Sequence, residues 1–121
     1  MAKDPVAKNT RSRLFERCGG YCEVCGHPLT FDWAIHHRKL RSRGGTNELA
    51  NLIAVHHHCH NLGTNSIHLN PAWATEQGYM VASWQDPTEV ALVYQSNVKV
   101  MLTNDGGVIP TNVEEVEGNG W

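Results

Sequence analysis

Two metal-binding knuckles constrain this chain more than any other feature of its sequence. Cys22 and Cys25 form a C-x2-C pair, and the glycine that follows permits the tight turn that a knuckle needs. The matching pair downstream is His56 and Cys59, which has the same two-residue gap. Three cysteines and one histidine fill the tetrahedral shell of a structural zinc ion and leave no position open for chemistry. The pattern therefore predicts a structural Zn2+ that joins two distant segments of the chain.

The fourth zinc ligand stays open at the level of sequence. His57, His58 and Cys18 also lie near the two pairs, and spacing alone favours His56 over them. We interpret Cys18 as a small buried apolar residue, which is the commoner role of a free cysteine.

Length and composition predict a single small domain over 1–121. A core of this size is small, so a metal cross-link would contribute much of its stability. No apolar run approaches the roughly 18 residues that a membrane span requires, and the N-terminal residues lack the apolar stretch of a signal peptide. We therefore expect a cytoplasmic protein, in which the C-x2-C pair and the eight histidines favour metal binding over disulfides.

Charge is divided unevenly along the chain. Residues 1–60 hold nine Lys and Arg against five Asp and Glu, whereas residues 61–121 hold one against seven. The formal net charge of -2 hides this division. A basic first half is typical of a protein that offers one face to phosphates, because the local field governs docking more than net charge does.

Local patterns predict an α+β fold. A helix is expected over 9–17, with Asn9 or Thr10 as its N-cap and Gly19-Gly20 as its end. Strands over 31–39 and 52–55 should flank a loop over 41–47, and a helix should begin near His57 or His58. A capped helix over 70–78 and β-prone runs over 79–84, 90–94 and 98–103 predict a small antiparallel sheet. The divisions expected are a core over 9–66, an extension over 67–110 and a disordered acidic tail over 111–121.

The segment between the knuckles is basic and rich in histidine. It reads H-H-x5-R-G-G from His36 to Gly45, then Asn51-Leu52 and, at the second knuckle, Cys59-His60. With E-R-x-G-G-Y-C-x2-C-G at the first knuckle, this order resembles the HNH endonuclease family, also called ββα-metal nucleases, and its small phage-encoded members in particular. The resemblance covers roughly residues 11–65.

The resemblance implies a DNA endonuclease with a histidine base and one divalent metal ion, which is Mg2+, Mn2+, Ni2+ or Zn2+. By resemblance His36 and His60 bind the catalytic ion and His37 is the general base. Asn51 would hold the loop that orients His37. The chemistry is suitable, because phosphodiester hydrolysis takes a base to activate water and a cation to stabilise the developing charge.

Two departures from the family pattern and one point of strand geometry bear on this site. Many members have Asp at the position of His36, and a third metal histidine of some members falls here on Thr64. The ion is therefore expected to be held by two histidines. A regular strand also places His36 and His37 on opposite faces, so the backbone is expected to bend between them.

The remaining histidines receive lesser roles. We interpret His57 and His58 as phosphate contacts, helix-capping groups or surface residues, and His27 and His68 as incidental.

DNA would be held by basic residues beside this site and on the first helix, with low sequence specificity because no separate recognition module is present. These residues are Arg38, Lys39, Arg41, Arg43, Arg11, Arg13 and Arg17. The resemblance to phage members also implies a location in the host cytoplasm and a role in DNA packaging. Its partners would be terminase subunits. Trp73, Trp84 and Trp121 could line such a contact, although the first two are interpreted as core. The alternative function is a catalytically silent zinc-containing DNA-binding or terminase-adaptor protein.

Overall fold

A computed structural model describes residues 6–111 and shows an α+β fold, as predicted, with two small antiparallel sheets. The predicted acidic tail, from residue 112 onward and including Trp121, lies outside the described residues. The elements are α1 (Lys8–Cys18), β1 (Ala34–His37), β2 (Leu52–Val55), α2 (Pro71–Gln77), β3 (Leu92–Tyr94), β4 (Val98–Leu102) and β5 (Val108–Pro110). Within residues 6–111, no helix combines the length and the apolar character needed to cross a membrane.

The first helix ends where the sequence predicts but begins earlier. Gly19 closes α1 in the left-handed region at φ 67°, which glycine adopts without strain. The predicted N-cap at Asn9 or Thr10 is wrong, because the carbonyl of Ala7 already accepts the first helical hydrogen bond from the amide of Arg11 at 3.0 Å.

A ββα unit forms the centre of the molecule. β1 pairs with β2 in antiparallel register from Ala34 opposite Val55 to His37 opposite Leu52. β2 is buried on both faces, since its residues alternate between a cluster with α1 and a cluster with the second sheet. A single π-helical turn, His58–Leu62, follows β2 in place of a longer helix. The strand predicted over 31–39 is confirmed only over the four residues of β1.

The second sheet packs on the first knuckle. β3, β4 and β5 pair in that order, and β5 was not predicted. The tip of the β3–β4 hairpin lies against residues 23–24: the amide of Gln95 donates to the carbonyl of Glu23 at 3.0 Å, and Ser96 Oγ donates to Val24 at 3.3 Å. The β-prone run over 79–84 is not a strand: the amide of Tyr79 donates to Ala74 in α2, and the amide of Val81 donates to Arg38 after β1.

Two arginines that were predicted to bind DNA are buried structural residues. Arg38 is 0% exposed, and its guanidinium donates to the carbonyl oxygens of Gly78, Ala50, Pro87 and Val90. The side chain of Arg17 is 1% exposed and forms a 2.8 Å ion pair with Glu23. Burial lowers the pKa of Arg38 to about 10, so it stays charged at neutral pH. The prediction of a phosphate contact is wrong for both, since neither guanidinium reaches the surface.

We expect Arg38→Lys to destabilise the protein strongly. An ammonium cannot reproduce the planar fork that reaches four carbonyls, and each carbonyl left without a partner costs about 1–3 kcal/mol. A loss of about 3 kcal/mol in the free energy of unfolding should appear in urea denaturation. Arg13→Lys is the matched control, because Arg13 is exposed and should tolerate the change within about 0.5 kcal/mol. Equal midpoints for the two variants would contradict the structural role of Arg38.

Candidate active site and metal centre

The two knuckles meet and form a cluster that could bind zinc. The ligand atoms of Cys22, Cys25, His56 and Cys59 all lie within 4.8 Å of one another. The sulfurs of Cys22 and Cys59 are 3.9 Å apart, and Cys25 Sγ is 3.3 Å from His56 Nδ1. A tetrahedral zinc with Zn–S bonds of about 2.3 Å separates its sulfurs by about 3.8 Å. This zinc cluster therefore has suitable spacing for a structural ion before any ion is present.

The structure brings His56, and not its neighbours, to the fourth position. His56 Nε2 lies 2.8 Å from the carbonyl oxygen of Pro28, so Nε2 donates and Nδ1 faces the cysteines. His58 is exposed and stacks on the His56 ring at 4.9 Å, while His57 lies 3.6 Å from Asp32. Cys18 donates to a carbonyl within its own helix.

Charge within the zinc cluster favours a cation. A hydrogen bond shared with Cys59 lowers the pKa of Cys22 to about 4, and the same contact raises the pKa of Cys59. The amides of Val24 and Cys25 also donate to Cys22 Sγ, each at 3.4 Å. One thiolate is therefore formed readily, and a divalent ion would allow its neighbours to lose their protons as well.

A second metal-ligating group lies at the centre of the ββα unit. This histidine cluster consists of His36, His60 and His68, whose ligand nitrogens lie within 4.8 Å of one another. The Nε2 atoms of His60 and His68 are 3.1 Å apart. Two nitrogens bound at about 2.1 Å to one ion would be about 3.0–3.4 Å apart. The side chains present thus fit one divalent ion.

The surroundings of His36 favour metal binding by its side chain. It is 1% exposed, and its Nε2 lies 2.7 Å from the carbonyl oxygen of Tyr79, so Nε2 donates there. Its Nδ1 is buried without a hydrogen-bond partner, which is costly unless a ligand occupies it. Burial lowers the pKa of His36 to about 3 and that of His60 to about 4. Both rings are therefore neutral at neutral pH, the form in which histidine binds metal.

His68 was interpreted as incidental, and the structure corrects this. The family pattern directed attention to Thr64, one helical turn beyond His60. Here the helix stops at Leu62, and the chain turns back so that the amide of His68 donates to the carbonyl of His60 at 3.1 Å. The structure therefore gathers three histidines where the sequence predicted two.

The predicted base, His37, contacts a residue that sequence reasoning missed. His37 Nε2 lies 2.8 Å from Asn47 Oδ1, which also accepts from Arg41 Nη2 at 3.3 Å. Arginine can only donate, so the amide oxygen of Asn47 faces both groups. His37 Nε2 therefore donates to Asn47, which in the neutral ring leaves Nδ1 as the basic nitrogen. The sequence signal that could have identified Asn47 is the G-G-T-N stretch at the end of the basic loop, over residues 44–47.

Asn51 closes the loop that carries these groups. Its Oδ1 accepts from the amide of Lys39 at 2.6 Å, and its Nδ2 donates to the carbonyls of Lys39 and Thr46 at 3.1 and 2.9 Å. It is 1% exposed. Gly45 is required in this loop, because a Cβ there would lie 1.7 Å from the Lys39 carbonyl oxygen. Asn51 thus fixes the loop of His37, while Asn47 contacts the ring itself.

A cavity of about 300 Å3 is lined by His37, Arg41 and the histidine cluster. The expected bend between His36 and His37 is not found, since both keep regular pairing with β2. His37 is the last residue of β1, where the ladder ends.

The other basic residues differ in their exposure to solvent. Lys39 and Arg41 are half-buried near the cavity, and Arg43 and Arg13 are exposed. Arg11 lies over the Trp33 ring at 3.8 Å and donates to the Trp33 carbonyl, so part of its binding capacity is used within the protein.

An antiparallel strand pair, a following helical turn and two metal-ligating clusters define a ββα-metal domain. The family model for the HNH endonuclease matches residues 22–66, which include both knuckles and the H-H, N and H positions named above. This segment is an HNH endonuclease domain, which confirms the family resemblance and indicates nuclease activity on nucleic acids. No curated protein and no solved structure matched the chain.

Proposed function

We propose that this protein is a metal-dependent endonuclease that hydrolyses DNA phosphodiester bonds. One observation carries the proposal: three histidines with ligand nitrogens within 4.8 Å of one another converge at a cavity that the predicted base, His37, also lines. A protein that only binds DNA has no need for a buried histidine nitrogen without a partner. The buried Nδ1 of His36 therefore favours the enzyme over the catalytically silent alternative.

In this proposal the chain's own residues move one proton and position one phosphate. His37 Nδ1 accepts a proton from the attacking water, and Asn47 Oδ1 holds the opposite ring nitrogen and stabilises the imidazolium that forms. Arg41, which lines the cavity, would contact a phosphate oxygen. A divalent ion held by the histidine cluster would supply positive charge to the phosphate and the leaving oxygen. Family resemblance implies products with 5′-phosphates.

The zinc cluster serves the fold in this proposal. A zinc ion there would join the first knuckle to the end of β2, from which the turn carrying His60 begins. We propose a single domain in which the 67–110 extension completes the 9–66 core. This is supported by Arg38, which donates to three carbonyls of the extension.

DNA binding would rest on phosphate contacts and therefore show low sequence specificity. The basic residues that remain for this role are Lys39, Arg41, Arg43, Arg11 and Arg13. A part in phage DNA packaging, with terminase subunits as partners in the host cytoplasm, rests on the family resemblance alone.

Supercoiled plasmid tests the proposed function. Wild-type protein with its zinc retained should nick plasmid when Mg2+, Mn2+, Ni2+ or Zn2+ is added and should not nick it in EDTA. Failure with every metal, or cutting that survives EDTA, would refute a metal-dependent endonuclease.

The ligand assignment predicts a matched effect of two variants. His60→Ala and His68→Ala should each raise the metal concentration for half-maximal cleavage at least about tenfold, because each removes one of three ligands. Zinc content and thermal stability should stay near wild type. Thr64→Ala is the control, since Thr64 is exposed and outside the histidine cluster. A metal dependence unchanged in His68→Ala would show that His68 is not a ligand.

A further inference from the structure

One side of α1 forms the wall of a surface groove. This groove, which we call the α1 groove, has a volume of about 400 Å3 and is lined by Lys8, Arg11, Ser12, Phe15 and Trp33. Its four helical residues follow the i, i+3, i+4, i+7 spacing that places side chains on one side of a helix. Leu14 and Cys18, which are buried, point toward the core instead. The helix therefore packs with one side and presents two cations to solvent with another.

Arg11 is held in a defined position within the α1 groove. Its guanidinium carbon lies 3.8 Å from the centre of the Trp33 ring, and its Nη2 donates to the Trp33 carbonyl at 3.0 Å. The ring of Phe15 packs beside Trp33, with 6.0 Å between the ring centroids. That hydrogen bond uses one of the five N–H donors of a guanidinium. An arginine fixed in this way loses less side-chain entropy on binding a phosphate than a freely rotating one does.

The charge of the α1 groove favours an anion. Lys8 and Arg11 supply two positive charges, and no Asp or Glu among residues 6–111 belongs to the lining. Two carboxylates, Glu16 and Asp32, are next to lining residues in sequence but lie outside the lining, and Asp32 Oδ1 is 3.6 Å from His57 Nε2. Two cations with a serine hydroxyl are the groups by which proteins contact the phosphates of DNA.

A second surface groove shows the contrast. It is lined by Trp84, which was interpreted as core but is 85% exposed. One cation, Lys39, lies there with two carboxylates, Glu48 and Asp86. The charge of that groove disfavours a nucleic-acid strand, whereas the charge of the α1 groove attracts one.

The strand β1 connects the α1 groove to the cavity that the histidine cluster lines. Trp33 directly precedes β1, Ile35 lines the cavity and His37 ends the strand. Trp33 and Ile35 pack in the same cluster, and alternate residues of a strand share a face, so His37 lies on this face as well. Four residues of strand span about 13 Å, and one strand of DNA advances about 3.4 Å per nucleotide. The α1 groove is therefore about four nucleotides from the proposed base.

We propose that the α1 groove binds the DNA backbone about four nucleotides from the scissile phosphate. Lys8, Arg11 and Ser12 contact phosphate oxygens there, and the DNA strand passes Ile35 to reach the cavity. The inference rests on the proposed function and adds to it a second docking point, so that full affinity requires DNA that continues past the cut on that side. Phosphate contacts accept every sequence, which agrees with low sequence specificity.

A single uncharged linkage in the DNA tests this contact. End-labelled duplexes carry one methylphosphonate in place of one phosphodiester, and cleavage is measured at every bond. Wild type should show a second minimum of cleavage about four nucleotides to one side of the altered linkage, because cutting there places the uncharged group in the α1 groove. The Lys8→Ala, Arg11→Gln double variant should lose this second minimum. Lys99→Ala is the control, since Lys99 is exposed in β4 and outside the groove.

Binding provides a measurement that does not depend on cleavage. Fluorescence anisotropy of a labelled duplex is recorded at several salt concentrations, on zinc-loaded protein without added metal. The slope of log affinity against log salt should fall in magnitude by about 0.9 for each phosphate contact removed. It should therefore fall by about 0.9 in Lys8→Ala and about twice that in the double variant, with no change in Lys99→Ala. Lys8 is exposed, so Lys8→Ala reports on the contact without disturbing the packing of Trp33.

The two measurements separate this inference from the proposed function. A second minimum that persists in the double variant, or that wild type does not show, would overturn the inference and leave the endonuclease standing. A salt slope that is the same in wild type and the double variant would overturn it as well. A slope that depends on Lys8 and Arg11 in a wild type that never cuts would refute the endonuclease and support the α1 groove as a DNA-binding site.

Discussion

Cys25→Ser is expected to unfold the domain. Serine is close to cysteine in size but is a poor zinc ligand, so the variant should lose the ion that joins the two knuckles. Structural zinc contributes about 10–16 kcal/mol in small zinc domains, whereas a whole domain is stable by only about 5–15 kcal/mol. Loss of zinc should therefore exceed the stability that the small core provides alone. Metal analysis and thermal melting by circular dichroism measure the two effects together.

Cys18→Ser is the matched control for this change. Cys18 is also buried, at 4% exposure, but its sulfur donates to the Phe15 carbonyl and stands outside the zinc cluster. A serine hydroxyl can make the same hydrogen bond, so this variant should keep one zinc per chain and a cooperative melt. A folded Cys25→Ser protein without zinc would show that the cluster is not what holds the domain together.

The parts of the structure that the sequence predicts are those set by local chemistry. The two pairs, Cys22 with Cys25 and His56 with Cys59, each depend on a two-residue gap, and they meet in space as their spacing implied. The end of α1 follows from the conformational freedom of Gly19. Such features are visible in sequence because a few adjacent residues determine them.

The parts that could not be predicted depend on contacts between distant segments. Arg38 lies in a basic stretch that indicates exposure, but four carbonyls from elsewhere in the chain hold it at 0% exposed. His68 joins the histidine cluster because the helical turn after β2 is short and the chain folds back. No residue type or spacing near either position carries this information.

The extension contributes directly to the site that the HNH segment builds. The carbonyl of Tyr79 fixes the ring of His36, and His68 supplies a ligand candidate from beyond the matched residues 22–66. A family motif read alone therefore leaves part of this site undescribed.

His37→Ala is expected to abolish most cleavage while leaving the protein folded. General-base catalysis contributes about 10²–10⁴-fold to rate, and the cleavage rate on plasmid should fall by that factor. Zinc content, melting temperature and DNA affinity should stay near wild type, since His37 belongs to neither metal-ligating cluster. His27→Ala is the control, because His27 is exposed and is not part of the cavity lining. Cleavage by His37→Ala at the wild-type rate would show that another group is the base.

Asn47→Ala tests how much the orientation of the His37 ring contributes to cleavage when the base itself is still present. His37 remains, but its Nε2 loses the oxygen that holds the ring and fixes the tautomer. We expect the cleavage rate to fall by about 10- to 100-fold, less than in His37→Ala, with little change in the concentration of metal required. The double variant should be no slower than His37→Ala alone, because Asn47 acts only through the imidazole. A further loss in the double variant would mean that Asn47 contributes to cleavage independently of His37.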